Sequence, residues 1–407
     1  MNTKKKIISL NYYSDFSRFF CEINSNIESV DWKHYCIYPS SYVYLCLRNE
    51  DAILLPRHVN ERSDLDDSIL LDLCSYELYE NTSEKYKNYM FNKARQYVSL
   101  FMKLILVDKP DLAIISGDER LQSKALKYVV EKMGVKHVFF EQGPFNTTIL
   151  DRNGVNANCS FRKENKESAI DIHFEERINS KPLKWKYNYI YRMVDFICIN
   201  CLNEFKELEK IKIGNLSKAK SRLNLEKAAS KSILLVLQVP EDANLRCHSP
   251  YFSNHYEIVK KLSSCLPVNY ELIVREHPNY IGKYEERLYD FIDEFNIKID
   301  NETQLNLALK DSELIIVNNS TVGLEAMAYE RPLIVLGNSY YDNENYVFKY
   351  NGENLDTLII EALHTSMNLK SVRNRLNYLF EHNFIRGHFR DMKVSEEIIK
   401  RVRDYVL

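Results

Sequence analysis

Residues 313–337 read ELIIVNNSTVGLEAMAYERPLIVLG. An apolar run closes at Val317, the polar quartet Asn318-Asn319-Ser320-Thr321 follows, and a helix-forming stretch carries Gly323 and Glu325. A second apolar run then occupies 332–336. Runs this short and this rich in Ile, Leu and Val read as strands buried on both faces. A helix lying between two of them is a crossover connection, so the sheet is expected to be parallel.

The same rhythm extends in both directions. Upstream, strands are read at 233–239 and 271–275 ("ELIVR"), with helices between. In the first half, "KIISL" (6–10), "HYCIYP" (34–39), "PDLAIISGD" (110–118) and "VKHVFFEQG" (135–143) read as strands. Residues 83–107 have apolar side chains at helical spacing, and 119–134 form a second helix closed by Gly134. The segment 203–232 is rich in charge and poor in large apolar groups, which marks a domain boundary. The tail, 371–407, reads as two helices. The expected fold is therefore α/β with two Rossmann-like domains in series: an N-terminal one over 1–225, a second over 226–385, and a terminal helix over 386–407 that packs back on the first.

Bulk properties narrow the function. The 407 residues are 45% apolar and 28% charged, an ordinary balance for a chain with two cores, and the net charge is −2. A chain so nearly neutral exerts no long-range pull on polyanions, which argues against nucleic acid as partner. Nine Cys are scattered, mostly inside apolar runs, and read as buried thiols in a reducing compartment. Cys198 and Cys201 form a C-x-x-C with no second Cys or His pair nearby, so core packing is preferred to zinc. The short apolar run after "MNTKKK" does not make a signal peptide, and no stretch reaches the ~18 apolar residues of a membrane span. The expectation is a cytoplasmic protein, at most seated on the inner membrane's surface or in an assembly complex. The stretch "KPLKWKYNYIYR" (181–192) interleaves basic and aromatic residues. It reads first as a solvated helix face, with membrane-surface contact as the sharper alternative.

Chemistry is expected at the C-terminal ends of strands, where open α/β sheets gather ligands. "ILLVLQVPEDANL" (233–245) ends a buried strand in Glu241 and Asp242; a turn or helix cap explains these acids as well as catalysis does. "LIVREHPNY" presents His277 at a strand exit beside Arg275, a pair suited to a leaving phosphate. Ser320 and Thr321 precede a helix whose N-terminus suits an anion, Gly323 permits close approach, and Glu325 can take sugar hydroxyls. Ser and Thr are also ordinary N-caps. "FFEQG" places Glu141 after a strand of the first half, while the later "DRNG" is a turn signal.

Taken in order, E-Q-G, Q-V-P-E-D, R-E-H-P and N-S-T-V-G-L-E-A resemble the bacterial β-Kdo transferases of capsule and lipopolysaccharide O-antigen assembly. They are similar also to the wider group of GT-B enzymes that use CMP-activated acidic sugars. The resemblance spans residues 110–340 and implies a GT-B fold, two Rossmann-like domains facing a central cleft. It implies CMP-β-Kdo as donor, transfer with retention to a saccharide or lipid-linked glycan acceptor, and no metal cofactor. On that resemblance His277, Ser320 and Thr321 meet the CMP phosphate, Glu325 the ribose, and Asp242 falls on the acid of the retaining enzymes. Glu141 then acts as the acid/base toward the acceptor hydroxyl. Gln142 stands where sialyltransferases often carry a second acid. The rival readings are an inverting transferase of the CMP-sialic-acid type and a non-catalytic GT-B binding module.

Overall fold

The computed structural model describes residues 4–79, 81–170, 172–174, 176, 182–208, 210, 231–240, 242–365 and 367–406. These form two compact units. The first takes Met1–Val155, Asn179–Gly214 and Asn383–Leu407; the second takes Asn156–Ile178 and Asn215–His382. The boundary expected at 225/226 lies outside the described residues.

The first unit is built on a seven-stranded sheet of β1 (Lys5–Asn11), β2 (Val30–Cys36), β3 (Ala52–Leu54), β4 (Leu112–Ser116), β5 (His137–Gly143), β6 (Thr147–Asp151) and β13 (Phe384–Arg386). Its order is β3-β2-β1-β4-β5-β6-β13. The first five strands run parallel, while β6 pairs antiparallel with β5 and β13 antiparallel with β6. Helices cover both faces, which is why neighbours along a strand such as Ile7 and Ile8, or Ala113, Ile114 and Ile115, are all buried. Phe19, Phe20, Trp32 and Phe140 fill one side of this core. Ile398, Val402 and Val406, spaced by four on helix Glu396–Val406, close it from the C-terminal end.

The tail holds the two expected helices. The first, Leu369–His382, belongs to the second unit, the unexpected three-residue β13 follows, and Glu396–Val406 packs back on the first unit. The reading also has β2 starting four residues late, because Val30–Lys33 alternates apolar and charged residues and carries no continuous run.

The second unit holds a six-stranded, wholly parallel sheet: β7 (Lys231–Val236), β8 (Tyr270–Arg275), β9 (Lys298–Ile299), β10 (Leu314–Val317), β11 (Leu333–Val335) and β12 (Phe348–Lys349). The order β9-β8-β7-β10-β11-β12 is the doubly wound 3-2-1-4-5-6 arrangement. The parallel strands of the first sheet follow the same 3-2-1-4-5 sequence. Both units are thus Rossmann-like, as expected. Their order reverses between β1 and β4 and between β7 and β10, and ligands of such sheets settle at those reversals.

Residues 156–178, expected in the first domain, cluster with the second. The reason is a set of buried polar ties. Arg375, 2% exposed, donates to the carbonyls of Phe161 (2.7 Å) and Lys166 (3.1 Å). Arg162 forks onto the wholly buried carboxylate of Asp342 at 2.7 and 2.6 Å.

Candidate active site

Three neighbouring strand exits of the second unit carry most of the candidates. β7 runs through Gln238 to Asp242, β8 ends on Arg275 and continues into Glu276 and His277, and β10 hands over to Asn318, Asn319 and Ser320. Because β8, β7 and β10 are adjacent in the sheet, these exits stand side by side at the reversal of strand order.

Hydrogen bonds lock them together. The buried Gln238 side chain accepts from the Asn319 amide through Oε1 (3.3 Å). Its carbonyl accepts from the Tyr284 hydroxyl (3.0 Å), which in turn accepts from the His277 amide (2.9 Å). Asn319 Nδ2 donates to the carbonyls of Asn244 (2.8 Å) and His248 (3.2 Å). Gln238, on the β7 exit, thus touches the β10 exit directly and the β8 exit through Tyr284, and its own Nε2 is buried with no partner among the described residues. A buried amide nitrogen left unbonded is costly, and a ligand oxygen relieves it.

His277 accepts from the Asn279 amide at Nδ1 (3.3 Å), which puts the ring proton on Nε2. Burial lowers its proton affinity and Asp242 partly restores it, so the ring is neutral at pH 7 and Nε2–H is a donor. Glu276, the other acid of the segment, is structural. Its carboxylate takes Asn301 Nδ2 (2.6 Å), the Gly282 amide (3.0 Å) and the Tyr289 hydroxyl, pinning the loop that carries His277.

Asp242 is half-buried and precedes helix Ala243–His248. Loss of water raises its proton affinity, while Asn244, the amides of Asn244 and Ala243, and His248 hold it down. Asn244 Nδ2 donates to it at 3.4 Å. Its contacts are therefore local ones with the start of the helix it precedes, and what an ordinary residue there lacks is the field it exerts on His277. Glu241 lies outside the described residues.

Arg275 donates to the Asp300 carbonyl (3.2 Å) and shares its field with Asp300 and Glu325. Burial pushes the Glu325 carboxyl up to about 7 against the pull of Arg275. Ser320 Oγ accepts from the Val322 amide (3.3 Å), a cap contact, and Thr321 is exposed. Gly323 is where the sequence reading fails. A Cβ there would sit 2.6 and 2.7 Å from Cε2 and Cζ of Tyr341, whose hydroxyl donates to the Ser320 carbonyl. The glycine makes room for that tyrosine, not for a ligand.

Glu141 belongs to the first unit. It is not a residue after a strand. Glu141, Gln142 and Gly143 are the last rungs of β5, paired with Ile149, Thr148 and Thr147 across a hairpin. Glu141 Oε1 accepts from the Gln142 amide (2.9 Å), and the Gln142 side chain meets His388 Nε2 (3.3 Å).

Around its own sheet reversal the first unit is already supplied with anions. The Phe16 amide donates to Asp15 (3.1 Å), the Ser40 amide to Asp195 (2.6 Å) and the Leu121 amide to Glu77 (2.9 Å), each at the start of a helix.

Sequence reasoning passed over Gln238, Asn319 and Tyr284. The first two stood in the quoted motifs, where attention went to acids and hydroxyls; Tyr284 carries no sequence signal. Among the thiols, Cys46 and Cys201 are exposed, contrary to the expectation that they are buried.

The comparisons with known proteins bear on the whole of this arrangement. Two curated relatives align over parts of the chain. Protein FixF of Sinorhizobium fredii is 25% identical over 166 residues, 39% of this chain and 39% of that protein. The capsule polysaccharide export protein KpsS of Escherichia coli is 27% identical over 127 residues, 28% of this chain and 32% of that one. The chain thus spans 39% of one relative's length and 32% of the other's. Among solved structures, the β-Kdo 2,7 transferase KpsC of Thermosulfurimonas dismutans superposes with a TM-score of 0.36 and 16% identity, over 67% of this chain and 78% of that one. A glycosyltransferase from Rickettsia africae gives 0.38 and 14%, over 100% and 98%. Likeness that loose transfers no residue roles. The model of the family described as "Capsule polysaccharide biosynthesis protein" matches residues 112–389, from the first residue of β4 to beyond β13. That span takes in every candidate from Glu141 to Glu325 and more than half of the sequence, so the chain belongs to the capsule polysaccharide biosynthesis protein family.

Proposed function

We propose that this chain is a glycosyltransferase of capsule polysaccharide assembly that moves Kdo from CMP-β-Kdo to a saccharide or lipid-linked glycan acceptor with retention, leaving a β-Kdo linkage. The observation that carries the reading is the union of Asp242, His277 and the Arg275–Glu325 pair at adjacent strand exits of the second unit's sheet reversal. A CMP leaving group carries a single phosphate. A neutral histidine donating through Nε2–H, with Arg275 behind it, stabilises that phosphate in the transition state without a metal. Ser320 and Thr321 flank the phosphate and Glu325 takes the ribose.

In the first step Asp242 attacks the anomeric carbon. The bond to the phosphate oxygen breaks, CMP departs with the electron pair, and a glycosyl-aspartate forms. In the second step an acceptor hydroxyl attacks the same carbon from the vacated side, loses its proton to Glu141 and releases the aspartate. A carboxylate stripped of water is a stronger nucleophile than a solvated one, which is the chemical use of the burial around Asp242. Its local contacts favour the second reading, inverting transfer in which a carboxylate acts only as base.

Product stereochemistry separates the two. Incubation with CMP-Kdo generated in situ and a panel of saccharide acceptors, followed by NMR of the product, is expected to give the β anomer. Asp242→Asn keeps the local contacts and loses the charge. It is expected to bind CMP as the wild type does, in EDTA, and to lose transfer by ~10³-fold or more. Mass spectrometry of the intact wild type with donor alone should show a Kdo-sized adduct that the variant lacks. An inverted product, or near-normal transfer by the variant, removes Asp242 as nucleophile.

A further inference from the structure

The stretch KPLKWKYNYIYR leads into a helix that wears its apolar side outward. An α-helical part, Asn188–Asp195, continues directly into a π-helical part, Phe196–Cys201. One face is fastened to the first unit. The fully buried Asp195 accepts from the Ser40 amide (2.6 Å) and from Arg192 (2.7 Å), and Ser14 donates to Asn188 (2.5 Å). Arg192 lies over the Tyr13 ring at 4.1 Å, and Tyr191 packs on Tyr44 and Trp185. The opposite face holds Tyr189 (65% exposed), Ile190 (49%), Met193 (62%) and Ile197 (49%), with Tyr187 (55%) and Leu183 (74%) beside it. Water-facing helices place polar groups there, so this one is amphipathic with the wrong side to solvent.

Charge indicates what covers it. From Leu183 to Leu202 the single acid is Asp195, which is buried, whereas Lys186 is exposed among the tyrosines. An outward face of aliphatic and tyrosine side chains with a basic residue at its edge and no exposed acid before Glu204, at its far C-terminal end, matches the interface of a bilayer bearing anionic headgroups. A protein partner or a second copy would call for no such exclusion of acids.

We infer that helix 188–201 seats the first unit on an anionic lipid surface. The seat adjoins the β1 and β2 exits through Tyr13, Ser14 and Ser40, so docking brings the strand-exit rim of this unit to the membrane, where a lipid-anchored glycan would be met. The inference stands on the helix alone and does not depend on the donor or mechanism proposed above.

Flotation with vesicles tests it. Wild type is expected to float with vesicles of equal parts phosphatidylglycerol and phosphatidylcholine, and far less with phosphatidylcholine alone. Ile190→Ser/Met193→Ser should lower partitioning by about tenfold or more while leaving the thermal midpoint unchanged, since both side chains are exposed. Lys186→Glu should weaken binding to the anionic vesicles only. As an independent readout, Tyr189→Trp should be quenched by brominated acyl chains. A wild type that floats with neither vesicle, or a double variant that floats equally well, overturns the proposal. So does a solution dimer that the double variant dissociates, since a second copy would then own the face.

Discussion

Glu325 and Asp242 are both half-buried carboxylates near the same strand exits, yet they are prepared differently. At both, burial raises the proton affinity most; at Asp242 the Asn244 side chain, the amides of its own helix and His248 oppose it, whereas at Glu325 only Arg275 does. This has a measurable sign. With its folded pKa at about 7 against an ordinary 4.5, Glu325 holds its proton more tightly in the native state than in the unfolded chain. Stability is therefore lost as pH rises from the unfolded value through the folded one, and is level above it. Glu325→Gln abolishes that loss. It is expected to raise stability at pH 8 by up to about 3 kcal/mol and to change little at pH 4, as read by denaturant unfolding at the two pH values. An equal effect at both would mean that packing, not charge, sets the cost. Gln238 and Gly323 show the limit of residue-type reasoning. One is a hub without ionisable chemistry, and the other looks like a ligand-approach glycine while serving Tyr341.

At the scale of elements, short polar ties decide which segment belongs where. Asp342 is wholly buried, held by both arms of Arg162, with Lys349 Nζ 3.7 Å away. Burial and the neighbouring Arg162 and Lys163 bring Lys349 down to about 8, with Asp342 opposing the fall. Asp342→Asn leaves two cations in a dry setting without their counter-charge, at an expected cost of about 3–5 kcal/mol. Hydrogen exchange should show the release of residues 156–164 while β7 and β10 stay protected. The Glu141 hairpin and β13 carry the same lesson from the other side. β13 is three residues long and its partner β6 lies more than two hundred positions earlier. A run so short has no periodicity to detect, so the tail reads as helix until its partner strand is known.

At the scale of the molecule, each unit has its own apolar core, and the C-terminal segment completes that of the first. Ile385, Phe389, Ile398, Val402 and Val406 are buried among Ile7, Phe20, Trp32 and Phe140. The second core draws on none of them. Truncation after His382 is expected to strip hydrogen-exchange protection from the first unit and expose its sheet to proteolysis. The strands β7, β8 and β10 should keep theirs. Loss of protection throughout would show that the two cores fold as one cooperative block.

Sequence by itself determined the central parallel strands of both sheets, because strands buried on both faces write themselves as unbroken apolar runs and crossover helices as 3.6-residue spacing. "ELIIV", "PLIVL", "ELIVR" and "DLAIIS" needed nothing more. It also determined where chemistry would gather, since strand exits follow from strand ends. Three things came only from tertiary structure. Which exits are neighbours depends on strand order, which no local pattern encodes, and that order is what sets Asp242 beside His277. Whether a side chain is dry depends on what packs over it, so neither the raised affinity of Glu325 nor the burial of the Gln238 amide could be read beforehand. The outward turn of Ile190, Met193 and Ile197 was equally hidden, because an amphipathic pattern states that a helix has two faces and only its anchors, here Asp195 and Tyr191, decide which of them meets the protein.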